Sequence, residues 1–230
     1  MAKEPALTPR LRLLADWVPA GARLADVGTD HGYLPVWLVL RGRAASAIAS
    51  DLRPGPLSRA QKTAEDYGAK LDLRLCDGLS SVAPEECDTV SIAGMGGQTI
   101  AEILQAAPWT ADGVHLLLLQ PMTMVYELRQ WLWAHGYAIE RETPCREERR
   151  HYVVLSVRGG AQAKQVPVSQ CAFSPALLGA PGAADYLRHL LTREQRALAG
   201  MEQARDRDDT RLAAQRALVH EIEQALEGLT

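Results

Sequence analysis

Residues 23–35, RLADVGTDHGYLP, constrain the fold more than any other stretch of this chain. A short apolar run (Leu24, Ala25, Val27) breaks at Gly28. A polar segment, Thr29-Asp30-His31-Gly32, follows, and an apolar helical pattern starts at Tyr33. This is the sequence form of a strand, a glycine-rich turn and a helix N-terminus. Glycine carries no Cβ, so a ligand can come close to the backbone of the turn. The helix directs its free N–H groups into the same space.

Two nucleotide-type ligands suit such a turn. A dinucleotide fingerprint reads G-x-G-x-x-G; here Gly28 and Gly32 give G-x-x-x-G, and the fingerprint fails. Asp26, two residues before the first glycine, would repel a pyrophosphate. It would attract the ammonium and sulfonium of S-adenosylmethionine. A carboxylate that merely caps the turn is the competing reading.

The remaining pattern alternates strands and helices. Thr8 and Pro9 start an amphipathic helix over 7–18, with Leu11, Leu14 and Val18 inward and Arg10 and Arg12 outward. Strand one spans 23–27 and a helix 33–40. Ala44 to Ser50 is a small-residue strand ending at Asp51, about 20 positions beyond the glycine turn, where a parallel α/β unit sets a carboxylate on ribose hydroxyls. After 52–56, a helix is expected over 57–67. A third strand (71–75) ends at Cys76-Asp77-Gly78, where Asp77 either closes a turn or accepts from an adenine amino group. A fourth (89–93) runs into Gly94-Met95-Gly96-Gly97, three glycines that imply close approach of a ligand or of a neighbouring helix. A helix (98–105), a fifth strand (116–119) ending at Gln120-Pro121, and a helix (124–135) follow. Residues 137–142 and 151–158 pair as closing antiparallel strands around an Arg-rich loop, RETPCREERRH. Gly159 to Gln165 marks a composition shift. Beyond it, 183–204 and 212–229 read as an antiparallel helical hairpin with a coiled-coil-like seam, interrupted at Asp206 to Asp209.

The fold class is therefore α/β: a Rossmann-like methyltransferase sheet over residues 1–160, with a C-terminal hairpin over 161–230. A net charge of −3 advertises no polyanion partner overall, so any nucleic-acid surface is a local patch. The densest such patch holds Arg141, Arg146, Arg149 and Arg150; Glu140, Glu142, Glu147 and Glu148 dilute it, which favours an intramolecular salt-bridge network over contact with a phosphate backbone. The 4 cysteines lack C-x-x-C spacing, which argues against zinc and a disulfide framework. No apolar run reaches membrane-spanning length, and no signal-peptide core is evident. A cytoplasmic protein, monomeric or weakly homo-oligomeric, is expected.

DVGTDHGYLP, AIASDLRPGP, CDGL, SIAGMGG and LQP, followed by a helical hairpin, together resemble the bacterial tRNA N1-adenine methyltransferases that modify position 22 in the D-arm region. The resemblance runs from the Thr8-Pro9-Arg10-Leu11 start to the hairpin. It implies S-adenosylmethionine as methyl donor and a C-terminal coiled coil that helps hold tRNA. Two departures stand out: Met122 replaces the usual Asn of Gln-Pro-Asn, and Tyr152-Val153 replaces a common Tyr-Glu.

The residues expected at the donor are Asp26, Gly28, Gly32, Asp51, Asp77, Gly78, Gly94 and Met95. Gly96, Gly97, Gln120, Pro121, Arg149 and Arg150 are assigned to the RNA. N1 of adenine already carries a lone pair, so positioning rather than activation should supply most of the rate. Tyr33 is the candidate for stacking on the base, with Asp30 and His31 to orient it. A core role for Tyr33 and a turn role for His31 stand beside these. No Asn/Asp-Pro-Pro-Tyr follows strand four, which argues against exocyclic amino methylation. Two other readings are a small-molecule methyltransferase with the hairpin as lid, and a non-catalytic methyltransferase-like binding module.

Overall fold

Runs that range from small-residue (β2) to leucine-rich (β5) build a seven-stranded sheet in the order β3-β2-β1-β4-β5-β7-β6. The structure, a computed structural model, describes residues 4–204 and 208–229. β1 (Ala22–Val27), β2 (Ala44–Asp51), β3 (Asp72–Leu75), β4 (Thr89–Gly96) and β5 (Leu116–Thr123) are parallel, and β7 (Arg150–Arg158) is antiparallel to both β5 and β6 (Ala138–Glu147). The order reverses at β1, between β2 and β4, which is where an open α/β sheet forms a crevice at its carboxyl edge.

Period-2 alternation sorts the strands onto two faces. Leu24, Leu116, Leu118 and Val154 pack with Leu14, Leu34, Trp37 and Leu38 of α1 (Pro9–Trp17) and α2 (Tyr33–Leu40), and with Val18 just past α1. Val27, Ile92, Leu117, Leu119 and Leu155 pack on the other face against α4 (Gly97–Ala106) and α5 (Val125–Ala134). That second core continues without a break into Leu177, Tyr186, Leu187, Leu190 and Ile222 of the C-terminal helices.

α3 (Pro54–Tyr67) begins three residues earlier than the expected position 57, with Pro54 in its first turn. Proline is tolerated there because a first-turn N–H has no intrahelical partner. The expected loop over 141–151 is instead mostly strand. β6 runs to Glu147 and meets β7 across a tight turn at Glu148 and Arg149. Pro144 sits in β6, an edge strand, where a missing N–H costs no ladder bond on the open side. Residues of the Arg-rich segment reach back to α1: Arg10 Nε lies 3.5 Å from Glu147, and the Arg141 guanidinium stands 4.5 Å from the Trp17 ring centroid.

α6 (Pro175–Leu178) precedes two long helices, α7 (Ala183–Gln203) and α8 (Asp209–Glu227). Gln195 Nε2 donates to Glu223 (3.1 Å) and Arg216 Nη2 to Glu202 (2.8 Å), so the pair runs antiparallel. Asp208 caps α8 by accepting from the backbone of Thr210 and Arg211. Arg205, Asp206 and Arg207 of the expected interruption lie outside the described residues. The anchor of this unit is a buried ion pair that sequence inspection passed over. Arg129 of α5 donates to Glu142 of β6, both fully buried, and to the carbonyls of Cys171 (2.9 Å) and Ala172 (3.0 Å). Glu142 also accepts from the N–H of Ser174 at 3.1 Å.

Candidate active site

A cavity of about 590 Å³ opens where the parallel strands end. Its wall brings together Asp26, Gly28, Asp30, His31, Tyr33, Asp51, Asp77, Gly78, Gly94 and Met95. These residues come from four separate β–turn units, and the sheet alone aligns them.

Asp26 is the chemical centre of the cavity. It follows Leu24 on the α1/α2 face of β1, between Ala49 and Ser91 on the neighbouring strands. It is 5% exposed. Burial pushes its carboxyl from 3.8 up to about 6, and the Thr29 and Ser91 hydroxyls facing it hold the rise back. Neither hydroxyl makes a hydrogen bond of standard geometry, so their help is weak. Among the described residues no Arg or Lys pairs with Asp26. A carboxyl in this state is poised to take a cation from outside the chain.

The turn after β1 is held by Gly28 N–H and Thr29 N–H, both donating to the Ser50 carbonyl at 2.9 and 3.0 Å. Gly28 has φ +70°, and a Cβ there would stand 2.1 Å from the Met95 Cε. The left-handed backbone is what disfavours a side chain here, since the Met95 Cε is the end of a flexible chain that can shift aside. Asp51 is buried at the end of β2, its Oδ1 accepting from the Arg53 N–H at 2.9 Å, which fixes the carboxylate at the rim. Asp77 is exposed after β3 and Gly78 packs over Ile103.

On the outer side, the His31 and Tyr33 rings stack at 5.2 Å and 12°. Tyr33 is 39% exposed, so it is a surface ring at the mouth rather than a core residue. Asp30 adopts φ +48° and pairs with Arg59 Nη2 at 2.5 Å, so its carboxylate is already occupied within the chain. Arg10, expected on the outward face of α1, instead turns into the cavity. Its Nη1 donates to Gln120 Oε1 at 3.0 Å, and the same oxygen accepts from Gly94 N–H at 3.1 Å. No periodicity argument could find this, because the partner lies more than a hundred residues away.

The other expected site residues lie elsewhere. Gly32 precedes α2 and packs 3.0 Å from Ala60 by its would-be Cβ. Gln120 is fully buried and acts through Arg10 and Gly94. Gly96 lies against Thr123, and at Gly97 a Cβ would meet the Met124 carbonyl at 2.2 Å. So one of the three clustered glycines, Gly97, lets α4 and the start of α5 touch backbone to backbone. Pro121 lines a second cavity, and Arg149 and Arg150 are exposed at the β6–β7 turn.

The profile of a methyltransferase domain matches residues 7–155. The tRNA (adenine(22)-N(1))-methyltransferase of Bacillus subtilis is 38% identical over 159 residues, covering 68% of this chain and 67% of its own. The chain belongs to this tRNA methyltransferase family. The crystal structure of the Bacillus subtilis m1A22 tRNA methyltransferase superposes with a TM-score of 0.84 at 29% identity, covering 97% of this chain and 100% of that one. A Streptococcus pneumoniae relative in complex with S-adenosyl-L-methionine gives a TM-score of 0.79 at 32% identity, covering 94% and 98%. The shared architecture thus extends through the C-terminal helices. Within the family frame, the polar residues that pattern-reading missed include Arg10, Arg53, Thr8, Thr29 and Thr99, all of which line the cavity. Thr8 was legible only as a helix cap, yet its hydroxyl makes no capping bond and is left without a partner. Among the described residues no helix is long and apolar enough to cross a membrane.

Proposed function

We propose that this protein transfers the methyl group of S-adenosylmethionine to N1 of an adenine at position 22 of tRNA. The observation that carries the reading is the buried, unpaired carboxyl of Asp26 beside the Gly28 turn, in a chain similar along most of its length to enzymes of that name. The residues present fit the donor. Asp26 offers a negative charge to a cationic ligand, Gly28 gives the turn beside it a left-handed backbone, and the Thr8 hydroxyl is buried without a partner in the same wall. When bound, S-adenosylmethionine supplies an electrophilic methyl group.

Asp26 would hold the amino-acid end, Asp51 the ribose hydroxyls, and Asp77 with Gly78 the adenine side. Gly94 and Met95 form the edge toward the RNA, kept in place by Gln120. Positioning an N1 lone pair in line is worth far more than activating it, since oriented reactants gain about 7–11 kcal/mol over free encounter. Tyr33 and His31 offer a stacked platform for a base taken out of its helix, which offsets an unstacking cost of a few kcal/mol. We read residues 1–160 as the catalytic unit and 161–230 as the part that holds tRNA, with Arg149 and Arg150 placed to meet phosphates. The cleft is complete within one chain, which favours a monomer or a weak homo-oligomer, and a tRNA substrate favours a cytoplasmic enzyme. Incubation with methyl-labelled donor and bacterial tRNA, followed by mapping of 1-methyladenosine, tests this. Label at position 22 is expected; donor binding with no label in RNA would sink the reading.

A further inference from the structure

A second cavity, of about 400 Å³, lies between the start of α5, β7 and α7. It is within the range of small-ligand pockets, roughly 300–1,000 Å³. Its wall runs through Pro121, Met122 and Thr123, and β5 pairs Pro121 with Met95 and Thr123 with Gly96. The cavity therefore begins one strand away from the donor cleft, on the side where the methylated base must arrive.

Its lining is aromatic and close to neutral. The His151 ring of β7 and the His189 ring of α7 stack at 4.1 Å and 24°, bridging the sheet to the C-terminal helices. Tyr126, Tyr152 and Tyr186 complete the wall. Burial, with Arg146 near His151 and the two rings near each other, holds both imidazoles below their usual range, so both are neutral at pH 7. Arg193 at the rim is already engaged by Glu194 and the Tyr126 hydroxyl, and Glu127 adds a negative charge. This is a poor site for a phosphate and a good one for the face of an uncharged ring. His189 is exposed and His151 half-buried, yet the His151 Nδ1 is buried with no hydrogen-bond partner, a polar atom left for something outside the chain to meet.

We propose that this cavity is a nucleobase pocket, which takes an unstacked base of the RNA beside the methylated adenine. The proposal rests on the tRNA reading above and deepens it. The stacked pair draws one ring from each part of the chain, so RNA bound there would sense how α7 sits on the sheet.

Steady-state methylation of tRNA by His189→Ala and His151→Ala tests it. The KM for tRNA should rise about tenfold or more, with kcat changed less and donor affinity unchanged. His189→Phe, which keeps a ring and guards against simple misfolding, should restore most of the loss. Alanine variants with wild-type KM for tRNA would overturn the pocket. In parallel, ring signals of His151 and His189 are followed by NMR with S-adenosylhomocysteine saturating the first cleft. Adenosine at millimolar concentration should move them and inorganic phosphate should not. Silence toward adenosine, or a response to phosphate alone, overturns the proposal. If the wild-type protein methylates no tRNA, the functional reading falls by itself, and the adenosine titration still decides the pocket.

Discussion

The donor cleft and the seam beneath the C-terminal helices both bury charge, and they treat it in opposite ways. At the seam, Arg129 and Glu142 are fully buried and meet each other, two carbonyls and an N–H. In the cleft, Asp26 is buried beside two poorly aimed hydroxyls. A satisfied buried ion pair is architecture. A buried carboxyl with no cation beside it costs the empty protein stability, which is what the proposed donor would relieve.

The comparison breaks first at the seam. Arg129→Met leaves Glu142 buried and unpaired and should cost about 3–5 kcal/mol, read by urea unfolding. Adding Glu142→Leu should recover most of that loss, and donor affinity of the folded protein should not change. A single variant of wild-type stability would show that the pair is not buried as described. Asp26→Asn should do the reverse. We expect donor affinity by calorimetry to fall about a hundredfold, as for a truncated buried charge, while the apoprotein melts at a higher temperature.

The pH dependence sharpens the contrast. The Asp26 carboxyl sits at about 6 folded against an ordinary 3.8. The folded state thus binds this proton more tightly than the unfolded state does. Its contribution to apoprotein stability is full below about pH 4, is lost as pH rises to about 6, and is flat above, a swing on the order of 3 kcal/mol. Donor affinity should rise over the same window, and Asp26→Asn should flatten both curves. Gly28→Ala drives a Cβ into Met95 and demands φ +70° from an alanine, so about 1–3 kcal/mol of stability or donor affinity should go. Met95→Ala should return only the steric part. The smallest effect is expected at the β6–β7 turn: Arg149→Ala with Arg150→Ala should lower the salt slope of tRNA binding by about 1.4–1.8, leaving donor affinity alone.

What could be read from the chain follows the range of the forces involved. Strand and helix positions around Gly28, Asp51 and Asp77 were legible because local alternation, glycine and proline chemistry decide them, and parallel α/β topology then lines up their ends. The Arg129–Glu142 pair gave no signal, since its partners sit on different elements and either residue alone looks like a surface charge. Arg10 was misplaced for the same reason: helical periodicity puts it outward, while Gln120 draws it in. The Arg-rich segment read as a loop because its charges hid the strand alternation that β7 completes.

α1 rests on β6 and β7, the last strands of the sheet to be made. A chain growing from the ribosome normally folds its early segments first. Here the helix carrying Arg10 can touch α2 and β5 earlier, but the β6–β7 hairpin gives it the larger part of its seat, so one wall of the cleft is incompletely held until that hairpin has emerged. A chain cut short before that hairpin would thus hold its methyl donor poorly.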